Sequence, residues 1–344
     1  MSRILTAAFI VLIVLGVASY FELSRRWEAP LTLPAQGIEF TVAPGDSLRT
    51  VAGKLNLAGV LAYPRMLMLF GRWTGLDQQL KQGEYVIPEH STARSVLELL
   101  QSGKVIQYRV TLPEGITLSK ALDILAQEEA LKKTIMSPED PRILELIKPH
   151  SNPEGLFLPD TYQFTRGTTD WSVLQNAHQA MRGVLQEEWA ERELQVPYKT
   201  PYEALIMASI IERETGIPEE RERISGVFAR RLGKGMLLQT DPTVIYGLAD
   251  EFEGNLRRQH LRQDSNPYNT YRHPGLPPTP IALPGVDAIR AALHPDDDGD
   301  ALYFVARGDG GHVFSATLKE HNAAVRKYQL QRAKNYRSTP EKRQ

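Results

Sequence analysis

PYEALIMASIIERETG, residues 201–216, is the stretch that decides how the second half of this chain folds. It combines strong helix formers with a run of apolar residues, and Gly216 is a common signal for the C-terminal end of a helix. On a helical wheel of about 100° per residue, Glu214 falls in the middle of an apolar stripe, whereas Glu212 falls on another face. Residues two apart on a helix do not face the same way, so these carboxylates are not expected to act as a pair.

Glu214 is the residue in this stretch that points to chemistry. A carboxyl group on an apolar stripe has a raised pKa, because burial disfavours its charged form. A carboxylic acid that stays protonated near neutral pH is what a general acid for glycosidic cleavage needs. The residues alone leave a second interpretation open, in which the helix frays near Gly216 and Glu214 points into water. Glu212 is expected to orient a neighbouring group.

Composition excludes several classes of protein. The chain has 344 residues, of which 42% are hydrophobic and 24% charged, as is typical of a globular protein of two or three domains. The 40 Lys and Arg residues balance 41 Asp and Glu residues, which argues against sequence-independent binding of nucleic acid. Cysteine is absent, so disulfides, thiolate catalysis and Cys-ligated metal sites are excluded.

The N-terminus has the length and composition of a membrane span. Residues 4–21 carry no charge and would extend about 27 Å as a helix, close to the thickness of a hydrocarbon core. A cleaved signal peptide is the competing interpretation, but 17–19 (VAS) is only a fair cleavage site. We therefore predict an uncleaved anchor over residues 1–27 with a short cytoplasmic N-terminus, followed by a Pro/Gly linker over 28–37.

A strand, a Pro turn, a Ser or Thr N-cap and an amphipathic helix recur three times, in the segments that begin near residues 40, 85 and 108. The first segment contains Pro-Gly-Asp-Ser at 44–47 and resembles the opening of a LysM module, a small βααβ fold that binds glycan chains. We predict such a module over residues 38–103. Whether it still binds glycan is left open by the sequence.

Residues 154–162, EGLFLPDTY, place apolar and aromatic side chains between two carboxylates. The segment is either a structural loop that buries its aromatics or a wall of a sugar site, since aromatic faces stack on pyranoses. Asp160 and Tyr162 are the candidate sugar contacts of this segment.

Two further segments supply polar candidates. LQTDPTVIYG at 238–247 reads as the start of a helix with Pro242 in its first turn, so Asp241 is either an N-cap or a site residue. The Pro-rich stretch 274–285 indicates a rigid extended segment. Just before it, 268–271 (YNTY) carries amide and hydroxyl groups suited to sugar hydroxyls and N-acetyl groups.

No metal or cofactor is expected. The eight histidines are scattered and form no H-E-x-x-H pair. The acidic insert Asp296–Asp300 resembles a calcium loop only superficially, because its twelfth position is Arg307 and not Glu. The role of this insert stays open.

Six motifs taken in order resemble the YceG/MltG family of membrane-anchored endolytic murein (peptidoglycan) transglycosylases. They are EGLFLPDTY at 154–162, ASIIERET at 208–215, Arg231-Leu232, LQTDPTVIYG at 238–247, YNTY at 268–271 and GLPP at 275–278. None is sufficient alone, but together they span nearly the whole chain. The resemblance implies an α/β (α+β) chain in which a mixed α/β catalytic domain over residues 104–335 follows the anchor and the LysM-like module. A basic tail over 336–344 ends the chain.

The family's catalytic glutamate aligns with Glu214, with Glu212 as a rival one step away in the motif. The remaining candidate substrate-binding or supporting residues are Glu212, Thr215, Asp160, Tyr162, Gln239, Asp241, Tyr246, Asn269 and Tyr271.

The resemblance also implies a location and partners: the bacterial inner membrane, a periplasmic body, peptidoglycan strands as substrate, and peptidoglycan synthases (penicillin-binding proteins) as neighbours. Arg25 and Arg26 argue weakly against export of the residues that follow them. We give more weight to the resemblance of the rest of the chain to an exported enzyme.

The implied reaction cleaves the bond between N-acetylmuramic acid and N-acetylglucosamine and leaves a 1,6-anhydro end, with Glu214 as acid and then base. Two alternatives stay open. One is an inverting muramidase that uses Glu214 and Asp241, whose carboxyl groups would lie about 6.5–9.5 Å apart. The other is a non-catalytic scaffold that binds peptidoglycan.

Overall fold

The computed structural model describes residues 2–75, 80–296 and 299–330, without the side chains of residues 2–4 and 250. The chain forms two compact units. The first comprises Met1–Tyr108 and Gln163–Gly167, and the second comprises Arg109–Tyr162 and the chain from Thr168 onward. The domain limits expected from the sequence stay predictions, and the predicted basic tail lies outside the described residues.

The first unit combines one long helix with a small α/β layer. Its elements are α1 (Ser2–Trp27), β1 (Ile38–Val42), α2 (Leu48–Leu57), α3 (Pro64–Trp73), β2 (Gly83–Ile87) and α4 (Ala93–Ser102). Strands β1 and β2 pair antiparallel, with Ile38 opposite Ile87. Alternate residues of both strands are buried, as expected for a sheet with one face on the core.

Helix α1 is apolar enough over Leu5–Trp27 to span a membrane. Its C-terminal end, however, belongs to the first unit, because Trp27 is buried in the unit's core and stacks on Phe70 at 4.6 Å between ring centroids. The segment 28–37, expected to be a linker, is also held to this unit. Its Leu31 donates a backbone hydrogen bond to Ser91, and Leu31 and Leu33 pack against the core.

The recurring pattern of strand, cap and helix is confirmed in outline. Ser47, Thr92 and Thr117 cap α2, α4 and the later helix α5 (Leu118–Gln127), each by accepting a backbone N–H bond on its side-chain oxygen. The second cap is Thr92 and not the preceding Ser91, because Thr92 and Ser95 form a reciprocal capping box.

The second unit is mainly helical. Its elements are α5, α6 (Pro141–Leu146), α7 (Asp170–Glu191), α8 (Pro201–Glu214), α9 (Arg221–Gly233), α10 (Asp241–Leu248), α11 (Arg258–Leu261), α12 (Val286–Leu293), β5 (Tyr303–Ala306), β6 (His312–Ser315) and α13 (Leu318–Val325). Strands β3 (Tyr108–Thr111) and β4 (Thr161–Phe164) form a short pair, and β5 and β6 form an antiparallel hairpin.

Helix α8 is the centre of this unit. Every residue from Ala204 to Ile211 is buried, so the helix is enclosed on all sides and not only along one stripe. Helices α7, α9, α10 and α12 pack around it. Its C-terminal end at Glu214 is therefore held by the surrounding core.

The Pro-rich segment is rigid because it packs on α8. The Ile281 backbone N–H donates to Ser209 Oγ at 3.0 Å, and residues 281–283 are buried. The Gly115 and Leu283 N–H groups donate to Leu283 and Ile116 carbonyls, which ties the segment to the turn before α5.

The last described helix changes type along its length. Helix α13 ends at Val325, and a π-helical turn follows over Arg326–Leu330. The residues beyond 330 lie outside the described part of the chain.

Gly155→Ala should destabilise the second unit. Gly155 has φ +78°, and an added Cβ would lie 2.6 Å from Cγ of the rigid Pro280 ring. We expect a loss of about 2–5 kcal/mol, from left-handed strain of about 1–2 and overpacking of about 1–3 kcal/mol. Thermal unfolding in detergent micelles measures it.

Gly275→Ala is the matched control. Gly275 has φ +81°, and nothing lies within 4 Å of the position its Cβ would take. It carries the strain without the clash, so it should lose only about 1–2 kcal/mol. Equal losses for the two variants would remove the packing explanation.

Candidate active site

A cleft of about 680 Å³ opens at the C-terminal end of α8, inside the second unit. Its walls come from the end of α8, from α9 and the loop before α10, from Tyr271, and from the β5–β6 hairpin with α13. The cleft therefore gathers residues that are more than 100 positions apart in sequence around one carboxyl group, that of Glu214.

Glu214 is the last residue of α8, and its carboxyl group accepts a hydrogen bond from the Thr240 hydroxyl. The pKa of Glu214 is raised from 4.5 to about 7, chiefly because burial disfavours the charged form and to a smaller extent because of the negative charge of Asp241. The bond from Thr240 and the charge of Arg213 act in the opposite direction. The C-terminal end of a helix also disfavours an anion, because its carbonyls carry partial negative charge. Near neutral pH the group can hold or release a proton.

Thr240 is positioned by a cluster of buried threonines. Its backbone N–H donates to Thr270 Oγ1 at 3.0 Å, and Thr243 Oγ1 donates to its carbonyl at 2.8 Å. Thr243 and Thr270 are hydrogen-bonded to each other at 2.9 Å. Thr240 is the N-cap residue of α10, but its side chain makes no capping bond, which leaves the hydroxyl for Glu214.

The rim of the cleft next to Thr240 is polar. Asp241 is exposed and accepts a hydrogen bond of 2.7 Å from the Tyr271 hydroxyl, so it is not the N-cap. Gln239 has φ +54°, a left-handed conformation that a non-glycine residue rarely adopts. Its exposed side chain lines the cleft. Backbone strain at a cleft-lining polar residue points to a function for that residue.

Arg231 forms part of the wall and fixes the loop that carries Gln239. Its guanidinium donates to the carbonyls of Leu302 and Leu238, each at 2.7 Å, and lies 5.0 Å from the centroid of the Tyr303 ring. Burial lowers the pKa of this guanidinium, although it stays charged at any physiological pH.

His312 faces the same cleft from β6. Glu220 accepts both its backbone N–H, at 2.8 Å, and a hydrogen bond of 2.7 Å from its Nδ1. The Thr215 hydroxyl donates to the same carboxylate at 3.4 Å. Glu220 thus links the residue after Glu214 to His312 and fixes the orientation of a ring that lines the cleft.

A model of the YceG-like family matches residues 40–327 of this chain. The chain belongs to the YceG-like family. The resemblance inferred from the six motifs is confirmed.

Several known proteins are similar to this YceG-like chain. A Bacillus subtilis (strain 168) protein named endolytic murein transglycosylase is 30% identical over 309 residues, which cover 85% of this chain and 84% of that protein. A Streptococcus pneumoniae (serotype 2, strain D39) protein of the same name is 24% identical over 344 residues, covering 90% of this chain and only 62% of that protein.

A solved structure shares the fold. The crystal structure of a yceG-like protein from Listeria monocytogenes aligns with a TM-score of 0.55 and 28% identity, over 84% of this chain and 99% of that one.

Glu212 of this YceG-like protein occupies a separate environment. Its side chain is 7% exposed, accepts the Gly285 N–H at 3.1 Å and lies 3.9 Å from the Arg221 guanidinium. Burial raises its pKa. Glu212 does not line the cleft, so the two glutamates face different surroundings, as the helical wheel predicts.

Residues 154–159 are buried in the core, and neither Asp160 nor Tyr162 lines the cleft. Phe157 is fully buried, and Glu154 is 6% exposed, bonded by the Leu118 N–H at 2.9 Å and the Tyr246 hydroxyl at 3.3 Å. Burial raises the pKa of Glu154 to about 7 as well. Because Glu154 does not line the cleft, geometry and not pKa separates it from Glu214.

The remaining candidates fall outside the cleft lining. Tyr162 donates to the Leu158 carbonyl at 2.6 Å, and Asp160 is exposed and accepts the N–H of the residue that follows it. Asn269 is fully buried, and its amide donates to two backbone carbonyls while accepting the Tyr271 N–H. Asn269 therefore positions Tyr271 and does not present its amide to a ligand.

The structure brings together only some of the predicted site residues. Those that line the cleft are Glu214, Gln239, Asp241 and Tyr271. Thr215 lies behind it, bonded to Glu220. Sequence reasoning missed Thr240, Glu220, His312 and the role of Arg231. Thr240 and Arg231 lie inside recognised motifs, but no local pattern marks Glu220 or His312.

Among the described residues, no group of His, Cys, Asp or Glu side chains could hold a metal ion. The acidic insert is described only at its ends. Residues 297 and 298 lie outside the described part of the chain, and the Asp296 carbonyl accepts a hydrogen bond from Arg230 at 2.6 Å.

Thr240→Val should raise the pKa of Glu214, because it removes the donor that stabilises the carboxylate and keeps the shape of the side chain. Activity that needs protonated Glu214 falls as pH rises through this pKa. The alkaline limb of the kcat/KM profile, near pH 7 for the wild type, should therefore move to higher pH.

Thr243→Val is the control for this profile. It alters the same buried cluster without touching Glu214. It should lower Tm and leave the limb in place. An identical shift in both variants would mean that the cluster, and not the bond to Glu214, sets the pKa.

Proposed function

We propose that this protein is a peptidoglycan lytic transglycosylase that cleaves glycan strands internally, with Glu214 as its single acid and base. The observation that carries the proposal is a carboxyl group with a pKa of about 7 at the base of an open cleft. The proposal is supported by relatives named endolytic murein transglycosylase that match most of this chain.

In the first step, protonated Glu214 donates its proton to the oxygen that links N-acetylmuramic acid to N-acetylglucosamine. The glycosidic bond breaks, and positive charge develops at C1 and the ring oxygen of the muramic acid. Glu214 becomes a carboxylate, which the Thr240 hydroxyl stabilises by its hydrogen bond.

In the second step, the muramic acid C6 hydroxyl attacks C1 of the same sugar. The Glu214 carboxylate takes the proton of that hydroxyl and returns to its starting state. The product ends in a 1,6-anhydro ring, and no water is consumed. A group that must give and then accept a proton works best with a pKa close to the working pH, which burial provides here.

The polar rim would position the strand. Gln239 offers an amide, and the Asp241–Tyr271 pair offers a carboxylate and a phenol oxygen to sugar hydroxyls. Tyr303 and His312 also line the cleft and would offer aromatic ring surface. Such a combination suits an amphipathic sugar, whose ring faces are apolar and whose edges are polar.

Glu214→Gln should abolish most of the activity. The amide keeps the shape of the side chain but cannot give its proton to the glycosidic oxygen, so we expect a loss of at least roughly 10²–10⁴-fold. Glu212→Gln should cost less, since Glu212 faces Gly285 and Arg221 and not the cleft. Mass spectrometry of the products from purified glycan strands measures both.

The products also separate the alternatives. Ends with the anhydro ring support the transglycosylase, whereas reducing ends heavier by one water would establish a muramidase. If the wild-type protein leaves the strands intact, the remaining interpretation is a non-catalytic scaffold that binds peptidoglycan. If Glu212→Gln is inactive and Glu214→Gln keeps most activity, the catalytic residue is Glu212 and not Glu214.

Melting of the same variants checks that the loss is chemical. The folded pKa of Glu214 lies above the unfolded value, so the folded state holds more protons between pH 4.5 and about 7 and stability falls as pH rises through that window. Gln lacks this penalty. Glu214→Gln should therefore match the wild type below pH 4.5 and melt at an equal or higher temperature above pH 7.

We propose in addition that α1 anchors the protein in the bacterial inner membrane with both units in the periplasm. The β1–α2–α3–β2 segment would be a LysM-like module. Anchoring would hold the enzyme where synthases release new strands, which raises its effective concentration there. Cutting nascent strands would then set their length.

Replacing residues 2–21 by a cleavable signal peptide tests this role. The replacement should leave Leu23 and Trp27 in place, because both pack on the first unit. We expect longer glycan strands in cells that make only the soluble form, at equal protein level. Normal strand length would show that anchoring is dispensable.

A further inference from the structure

The solvent face of α3 combines basic and large apolar side chains. Arg65, Leu69, Arg72 and Trp73 recur at the spacing of one helix face, and the helix contains no acidic residue. Leu69 is 58% and Trp73 is 71% exposed. Within the ranges that the structure describes, neither Arg65 nor Arg72 makes an ion pair. This composition is typical of helices that lie in a membrane interface.

Helix α3 is attached to the end of α1. Phe70 stacks on Trp27 at 4.6 Å between ring centroids, and Trp73 lies edge-on to Phe70 at 6.0 Å. Trp73 and Tyr20 line one groove of about 490 Å³, whose walls come from the end of α1, from α3 and from α4. Tyr20 belongs to the last turn of the apolar segment 4–21, so Trp73 lies beside α1 at the level where that segment ends.

We propose that α3 is a second membrane contact, whose exposed face lies in the lipid–water interface of the bilayer that α1 crosses. Leu69 and Trp73 enter the boundary between headgroups and acyl chains, where Trp is favoured. Arg65 and Arg72 bind the phosphates of anionic lipids. The inference rests on the proposed membrane span of α1 and not on the proposed reaction.

Basic and aromatic side chains also meet where the end of α1 approaches the start of α3. Arg26 lies 4.6 Å from the centroid of the Tyr63 ring, directly before α3, and pairs with Glu22 at 2.7 Å. Tyr63 is itself 53% exposed. Aromatic and basic groups therefore cluster where the last turns of α1 adjoin α3, and such groups are enriched at membrane interfaces. Two attachments would fix how this unit is oriented on the bilayer.

Depth measurements on the full-length protein in proteoliposomes test the contact. Because the chain has no cysteine, Leu69→Cys and Val86→Cys each create one site for an environment-sensitive fluorophore. Val86 is the control. It is an exposed apolar residue of the same unit, on the sheet face opposite to the buried Tyr85 and Ile87. Val11→Cys reports whether α1 crosses the membrane.

In vesicles of phosphatidylethanolamine and phosphatidylglycerol, we expect lipids brominated near the headgroup end to quench the label at 69 several-fold more than the label at 86. Aqueous iodide should show the opposite order. Adding Trp73→Ser to Leu69→Cys should reduce the lipid quenching. Arg65→Gln with Arg72→Gln should reduce it in these vesicles and have little effect in phosphatidylcholine.

Equal accessibility of positions 69 and 86 to iodide, with position 11 quenched by mid-chain bromines, would overturn the proposal while leaving the anchor intact. Quenching at 69 that grows with the protein-to-lipid ratio would assign the face to a second copy of the chain and overturn it too. If mid-chain bromines do not quench the label at position 11, the membrane span of α1 is refuted, and with it the interfacial contact of α3.

Discussion

The burial of α8 over residues 204–211 is the constraint on which the second unit depends. A helix segment that is buried on every side has no face for water, so other elements must enclose it. Helices α7, α9, α10 and α12 and the Pro-rich segment do so. Enclosure leaves the last residue, Glu214, at the point where the core meets the cleft. The same hydrophobic burial that stabilises the unit therefore places a carboxyl group where its charge is costly.

The two glutamates near the end of α8 have different polar partners. Glu212 accepts the Gly285 N–H and faces Arg221, so it ties the helix to the start of α12. Glu214 has one neutral donor, Thr240, which moderates the cost of its charge without removing it. Burial is the main cause of the raised pKa of Glu214, and one neutral hydrogen bond offsets it only in part.

Trp27 joins the apolar helix α1 to the core of the first unit. The residue is at the end of α1 and in the core of the unit at once, so no free linker separates the apolar helix from the α/β layer. Because Trp27 stacks on Phe70, the orientation of α3 depends on that of α1. This connection also brings Arg26 next to the exposed Tyr63 ring.

The sequence by itself determined the apolar helix α1, the recurring strand–cap–helix pattern, the family, and the different surroundings of Glu212 and Glu214 on α8, because periodicity, capping residues and motif order are local properties of the chain. It did not determine that 154–159 is core, that Asn269 is a buried support, or that Thr240, His312 and Glu220 gather around the cleft. Only the tertiary structure decided these points. Whether a polar side chain meets water, a ligand or a backbone group depends on segments far away in sequence, and local patterns carry no information about such contacts.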